Sequence, residues 1–166
     1  MTEMSTATLH LPDAAATEVA GARLAPELQG GMVITVAGEL GAGKTTLVRG
    51  CVRALGWTGR VKSPTYTLVE YYPFSSLYFY HFDFYRFADP REWETAGLAD
   101  CFRNDTVCVV EWPERVGNLL PTPDLSLTLT PSADADGLGR RLLLEAHTEA
   151  GERCLGAMTR AGNGVE

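Results

Sequence analysis

The stretch Gly38-Glu39-Leu40-Gly41-Ala42-Gly43-Lys44-Thr45 fits the spacing G-x-x-x-x-G-K-[ST]. It follows the apolar, β-branched run 32–37 and precedes residues 46–55, which carry apolar side chains at helical spacing. A strand, a glycine-rich loop and a helix in this order form an anion site. The glycines let successive backbone N–H groups curl around a phosphate, and the helix N-terminus adds about half a positive charge. This stretch therefore predicts an α/β fold of the P-loop NTPase type.

Each position of this loop has an expected role. Lys44 should reach the β- and γ-phosphates, and the Thr45 hydroxyl should hold Mg²⁺. The alternative is a chance glycine-rich turn, which the matching flanks disfavour. The residues expected to contact the nucleotide are Gly38, Glu39, Leu40, Gly41, Ala42, Gly43, Lys44, Thr45 and Thr46.

Length and composition predict one globular domain. The chain has 166 residues, of which 45% are hydrophobic and 21% charged, close to the averages for folded domains. We expect a single P-loop domain over residues 1–166, with unstructured tails at 1–8 and 160–166. The net charge of −7 argues against a stand-alone nucleic-acid binder and predicts no DNA contact. The nearest basic group is interpreted as solvated cations: Arg49, Arg53, Arg60 and Lys62.

The chain shows no sign of secretion, metal-binding cysteines or a membrane span. None of its four cysteines forms a C-x-x-C pair, and Cys51 and Cys108 lie in apolar runs typical of buried thiols. No run approaches the roughly 18 apolar residues that a membrane helix needs. We therefore expect a reduced, cytoplasmic protein with no membrane partner.

Two neighbouring segments predict a sheet that is not purely parallel. Residues 65–72 and 77–85 are rich in Thr, Tyr, Val and Phe, and the turn 73–76 is short enough for an antiparallel hairpin. Sheets built around a P-loop are normally parallel. The prediction is therefore a three-layer fold with a mixed central sheet that includes this hairpin.

The remaining elements follow from caps and periodicity. Asp13 should cap a helix, and Asp89, with Pro90 and Glu92 after it, should open another helix over about 90–96. A short strand is expected near 9–11. Further strands are expected at 106–111, 124–130 and 140–146, the last two antiparallel, followed by a weak helix at 149–159.

Two carboxylates stand near the ends of predicted strands. Asp83 lies near the end of the second hairpin strand and shares a face with His81 and Tyr85, and Glu111 ends the apolar run 106–111. One carboxylate would help Thr45 to hold Mg²⁺, and the other would orient the attacking water. Position alone leaves open which acid does which, and capping of the strand end remains an alternative for Asp83.

Four motifs occur together in the order and spacing of a known family. They are the P-loop, Ser63-Pro64-Thr65-Tyr66-Thr67, His81-Phe82-Asp83-Phe84-Tyr85-Arg86 and Glu111-Trp112-Pro113. The P-loop alone is common to many proteins, whereas the other three motifs together are specific. Over about residues 11–129 the chain resembles the bacterial TsaE (YjeE-like) ATPases. These act in making N6-threonylcarbamoyladenosine (t6A) at position 37 of ANN-decoding tRNAs.

The resemblance implies roles for individual residues. Thr45 and Glu111 would hold Mg²⁺, and Asp83 would act in ATP hydrolysis together with Lys44. The segment around Thr65 would be a nucleotide-dependent switch that takes part in catalysis. Trp112 would lie beside the nucleotide, although a core tryptophan is an equal alternative.

The resemblance also implies contacts and partners. The helix start at 13–17 would contact the adenine side. Arg140 could reach the nucleotide, but it is interpreted as a surface strand arginine. Partners would be the TsaB–TsaD pair, which ATP binding and hydrolysis would reset, with tRNA contacted only indirectly. The isolated protein would hydrolyse ATP slowly. The alternative function is a P-loop kinase acting on a small molecule or a protein.

Overall fold

The computed structural model describes residues 5–64, 66–133 and 137–160. Its strands are β1 (Thr6–Leu11), β2 (Val33–Ala37), β3 (Val69–Pro73), β4 (Tyr78–Asp83), β5 (Thr106–Glu111), β6 (Leu125–Pro131) and β7 (Arg140–Ala146). Its helices are α1 (Ala14–Leu24), α2 (Lys44–Ala54), α3 (Glu92–Thr95) and α4 (Glu149–Arg160). Short 3₁₀ turns cover Ala25–Glu27, Leu98–Cys101, Pro113–Arg115 and Gly117–Leu119.

The strands form one mixed sheet in the order β1-β7-β6-β2-β5-β4-β3. Its centre is parallel, because β2 pairs with both β5 and β6, and β5 pairs with β4. Its flanks are antiparallel, with β3 on β4 at one side and β7 between β6 and β1 at the other. The predicted mixed sheet with an antiparallel hairpin is confirmed. The parallel centre brings the carboxyl ends of β2, β4 and β5 to one edge.

Two buried clusters fill the two faces of the sheet, as the three-layer prediction requires. One cluster lies under α1, α2 and α4 and includes Ile34, Val36, Leu47, Phe79, Leu127 and Met158. The other lies on the opposite face, towards α3 and the 3₁₀ turns that follow it, and includes Phe82, Phe84, Trp93, Cys108 and Val110. Strand β5 contributes to both clusters because successive side chains alternate between faces.

Helices α1 and α2 pack closely because glycines stand at their crossing. A Cβ on Gly21 would lie 1.9 Å from the Leu47 carbonyl oxygen, and one on Gly50 would lie 2.0 Å from that of Glu18. At its start, α1 has the predicted cap, since the Asp13 carboxylate accepts a hydrogen bond from Ala16 N at 2.9 Å. The crossing fixes α1 beside the helix that follows the P-loop.

The strand predicted over 65–72 begins later than expected. Leu68 adopts a left-handed backbone (φ 71°), and its N–H donates to Pro64 O at 2.8 Å. Because this turn uses the backbone before the strand, pairing with β4 starts only at Val69. Strand propensity is overridden by the turn. β4 itself ends at Asp83 rather than at residue 85, since a turn follows it.

Two further boundaries differ from prediction. Helix α3 is shorter than 90–96, because the Asp89 carboxylate accepts from Arg91 N in a preceding turn and left-handed Gly97 follows the helix. The expected tail 1–8 is too long, because β1 pairs with β7 from Thr6 onward. The weak helix predicted at 149–159 is present as α4. Residues 1–4 and 161–166, most of the two predicted tails, lie outside the described residues, and the single-domain assignment stays a prediction.

Three of the four cysteines behave as buried apolar groups. Cys51 and Cys108 are buried as predicted, Cys154 is buried as well, and all four thiols are free. Burial raises the pKa of the Cys108 and Cys154 thiols to about 12. Among the helices in the described part of the chain, none is long and apolar enough to cross a membrane.

Candidate nucleotide site

A cavity of about 450 Å³ opens where the parallel strands end and α2 begins. This edge is where α/β sheets usually bind ligands. Most of the predicted site residues line it, together with neighbours from α1 and β7. The lining comprises Ala14, Thr17, Leu40, Gly41, Ala42, Gly43, Lys44, Thr45, Thr46, Ser63, Asp83, Tyr85, Glu111, Trp112, Leu138 and Arg140.

The glycine loop has the backbone that the motif predicts. Gly43 (φ 102°) precedes α2 without any side-chain cap, so the first N–H groups of the helix are available to an anion. Gly38 is also required sterically, because a Cβ there would lie 2.7 Å from the Leu129 carbonyl oxygen. Gly38 and Glu39 themselves do not line the cavity. Their carbonyl oxygens accept hydrogen bonds from Lys44 instead.

Lys44 is folded across the loop and is only 5% exposed. Its Nζ donates to the carbonyl oxygens of Gly38 at 2.6 Å and Glu39 at 2.8 Å. Burial lowers the pKa of Lys44, while the negative charges of Glu111 and Asp83 act in the opposite direction. The ammonium group therefore lies at the base of the cavity, within electrostatic reach of both acids.

Glu111 and Thr45, the two residues predicted to hold Mg²⁺, are in direct contact. The Thr45 hydroxyl donates to Glu111 Oε2 at 3.0 Å, although the two residues lie 66 positions apart in the chain. Both supply hard oxygen atoms, and Mg²⁺ takes oxygen ligands while keeping several waters and substrate phosphates. The donor set fits this ion, and Thr45 and Glu111 are the side chains that would hold it.

Asp83 lies next to Glu111 but has different partners. The two acids are paired in register on β4 and β5. The Ser63 hydroxyl donates to Asp83 Oδ2, and Asp83 Oδ1 accepts from Tyr85 N at 2.9 Å. The segment predicted to act as a switch thus reaches the cavity through Ser63, which the sequence did not single out. Thr65, which it did, lies outside the described residues.

Trp112 lies in the cavity wall. Its backbone is left-handed (φ 57°), which turns the chain directly after Glu111. The Lys44 Nζ lies 4.6 Å from the centre of its ring, and the Tyr85 ring lies 5.0 Å away. Trp112 also packs against the second buried cluster, so it serves the core and the cavity together. Contact with nucleotide stays a prediction.

Arg140 is not the surface strand arginine that we expected. From the start of β7 its Nε donates to Ala42 O at 2.9 Å, and Nη2 donates to Gly41 O at 3.0 Å. Its Nη1 also donates to Gly139 O at 2.9 Å, so the guanidinium connects the β6–β7 loop with the P-loop. No local pattern could reveal a contact between residues 98 positions apart.

Comparison with known proteins identifies the family. Residues 11–142 match the family model described as "Threonylcarbamoyl adenosine biosynthesis protein TsaE". The chain belongs to the TsaE family. The match reaches beyond the 11–129 expected from the motifs and includes Arg140. It thus contains every predicted site residue of the TsaE resemblance.

TsaE relatives are similar over most of the chain. A "tRNA threonylcarbamoyladenosine biosynthesis protein TsaE" from Haemophilus influenzae is 42% identical over 77% of this chain and 78% of its own length. A protein of the same name from Synechocystis is 41% identical over 66% of this chain and 71% of its own. The crystal structure of Bacillus subtilis YdiB superposes with a TM-score of 0.78 at 26% identity, covering 98% of this chain and all of that one. The predicted P-loop NTPase-like fold is consistent with this neighbour.

Proposed function

We propose that the protein is a Mg²⁺-dependent ATPase and an accessory subunit of t6A synthesis in the cytoplasm. In this proposal it binds a TsaB–TsaD pair and resets that pair by binding and hydrolysing ATP, with tRNA contacted only indirectly. The hydrogen bond between Thr45 and Glu111 beside the P-loop carries the proposal. It joins a hydroxyl and a carboxylate of the types that hold Mg²⁺ at a nucleotide phosphate site.

The residues of the cavity have different roles in the proposed hydrolysis. The loop N–H groups and the start of α2 bind the phosphates, and Lys44 balances their negative charge. Thr45 and Glu111 would hold Mg²⁺, which would supply further neutralisation of the phosphate charge. Asp83 is ionisable, 4% exposed and already accepts hydrogen bonds, so its carboxylate can orient a water molecule for attack.

Slow hydrolysis by the isolated chain is part of the proposal. The segment from Ser63 to Thr67 would complete the site only when nucleotide and partner are both bound, with Thr65 as its catalytic member. Order–disorder and loop movements of this kind are common among P-loop switches. The direct contact of Ser63 with Asp83 supports a link between the segment and the attacking water.

Substitution of the P-loop lysine tests the proposal. Lys44→Ala removes the cation from the base of the cavity, so we expect loss of ATP turnover and of multiple-turnover t6A synthesis in a reaction with TsaB and TsaD. The matched control is Lys62→Ala, which removes an exposed lysine that does not line the cavity. Equal multiple-turnover yield from Lys44→Ala and the unmodified protein would refute the proposed role.

A further inference from the structure

His81 is a buried histidine that the proposed mechanism does not use. Its side chain is 0% exposed, and Nε2 lies 2.6 Å from Glu111 Oε2. Its other ring nitrogen, Nδ1, has no hydrogen-bond partner within the part of the chain that the structure describes. Among the residues that the structure describes, the Nε2 contact is therefore the hydrogen bond that accounts for a polar ring at this buried position.

The contact requires His81 to be the donor. A carboxylate oxygen accepts hydrogen bonds, so Nε2 must carry a proton at this distance. Both the neutral Nε2–H tautomer and the protonated ring meet this requirement, so the contact does not depend on which of them is present. The Nδ1–H tautomer would instead place a lone pair against the carboxylate.

Two side chains thus hold the same carboxylate oxygen. Thr45 Oγ1 donates to Glu111 Oε2 from α2, and His81 Nε2 meets that oxygen from β4. His81 lies two residues before Asp83, the register partner of Glu111, so the sheet places it diagonally across from the acid. Neighbours of this kind fix the orientation of metal-binding carboxylates, and their loss weakens metal binding.

We propose that His81 is a positioning residue that fixes the Glu111 carboxylate next to Thr45 and thereby strengthens Mg²⁺-dependent nucleotide binding. The inference rests on the proposed Mg²⁺–ATP site. It assigns His81 no contact with nucleotide, so its substitution acts only through Glu111. Nucleotide affinity without Mg²⁺ is therefore expected to change little.

Two substitutions separate the hydrogen bond from the ring. In His81→Gln the amide nitrogen can occupy the place of Nε2. In His81→Asn the amide nitrogen falls near the place of Nδ1, and the side chain is too short to reach Glu111. The readout is the affinity for a fluorescent ATP analogue in Mg²⁺ divided by the affinity in EDTA. We expect His81→Asn to reduce this ratio by about tenfold or more, and His81→Gln to keep most of it.

A double-mutant comparison tests whether His81 acts through the acid. In a Glu111→Ala background, His81→Asn should leave the ratio unchanged, because the group that it positions is gone. The inference is overturned if His81→Asn keeps the ratio of the unmodified protein, or if it weakens binding equally in Mg²⁺ and EDTA. Circular dichroism checks whether each variant folds. If His81→Asn does not fold, folded His81→Gln decides the test. A Mg²⁺-to-EDTA affinity ratio near that of the unmodified protein then supports the inference, and a strongly reduced ratio overturns it. If the unmodified protein shows no Mg²⁺ enhancement, the proposed function itself fails.

Discussion

Glu111 and Asp83 show how neighbouring residues of the same charge can have different chemistry. They end adjacent parallel strands in register, and both are nearly buried. Glu111 is bound by side chains of α2 and β4, which are fixed parts of the fold. Asp83 is bound by Ser63, which belongs to a connecting segment rather than to a helix or strand. This difference favours a static role for Glu111 and a role tied to loop position for Asp83.

Substitution of the two acids should therefore have separable effects. Glu111→Ala is expected to weaken Mg²⁺–nucleotide binding, because it removes the carboxylate that pairs with Thr45. Asp83→Ala is expected to spare binding and slow hydrolysis by about 10²–10⁴-fold, the usual range for a lost acid–base group. Titration with a fluorescent ATP analogue, together with single-turnover hydrolysis, measures both quantities. The reverse pattern would mean that the two roles are exchanged.

The sequence predicted those side chains of the cavity that belong to short motifs. Lys44 and Thr45 follow from one spacing, and Asp83 and Glu111 follow from acids at strand ends. The contacts of Arg140 with the P-loop could not be found in this way. Its hydrogen bonds to Gly41 and Ala42 depend on the antiparallel return of β7, which brings the far end of the chain back to the loop.

At the scale of helices, the contact between α1 and α2 depends on two glycines rather than on large apolar side chains. Gly21 and Gly50 each face a backbone carbonyl of the other helix. The helical pattern of residues 46–55 predicted α2, but it gave no reason for a glycine in its interior, where glycine lowers stability. The reason is the close approach of α1, a tertiary contact that helix propensity does not take into account.

Alanine substitutions at two helical glycines should have opposite effects on stability. In Gly50→Ala the new methyl group would lie 2.0 Å from Glu18 O, so we expect a loss of about 1–3 kcal/mol or more in the free energy of unfolding. Gly156→Ala, in α4, meets only the end of the Arg160 side chain at 3.8 Å and should gain about 0.4–1 kcal/mol. Urea unfolding measures both values. Equal losses at the two sites would contradict the close crossing.

For the molecule as a whole, buried thiols make stability depend on alkaline pH. Burial holds the thiols of Cys108 and Cys154 protonated in the fold and raises the pKa of each from 9.0 to about 12. In the unfolded chain the same thiols ionise near their ordinary value. Between these two values the unfolded state binds fewer protons than the folded state, so stability falls as the pH rises.

The expected slope can be isolated with a single substitution. Each of these thiols should lower the free energy of unfolding by about 1.4 kcal/mol per pH unit between roughly pH 9 and 12. Other groups also titrate in this range, so the comparison is between the unmodified protein and Cys154→Ala, unfolded in urea at several pH values. The free energy of unfolding of Cys154→Ala should fall less steeply with pH, by the contribution of one thiol. Parallel curves for the two proteins would show that Cys154 is not protected in the fold.

The order of strands in the sheet has a consequence for how the protein is made. Strand β2 finds its parallel neighbours only in β5 and β6, and β1 pairs with β7, so almost the whole chain separates β1 from its partner. Ribosomes add about 5–20 residues per second, and pairing between distant segments is intrinsically slow. The glycine loop is thus translated before β5, β6 and β7, whose pairing supports it. A nascent chain halted before β5 has no neighbours for β2, so the cavity beside the glycine loop can form only after β5 and β6 have been made.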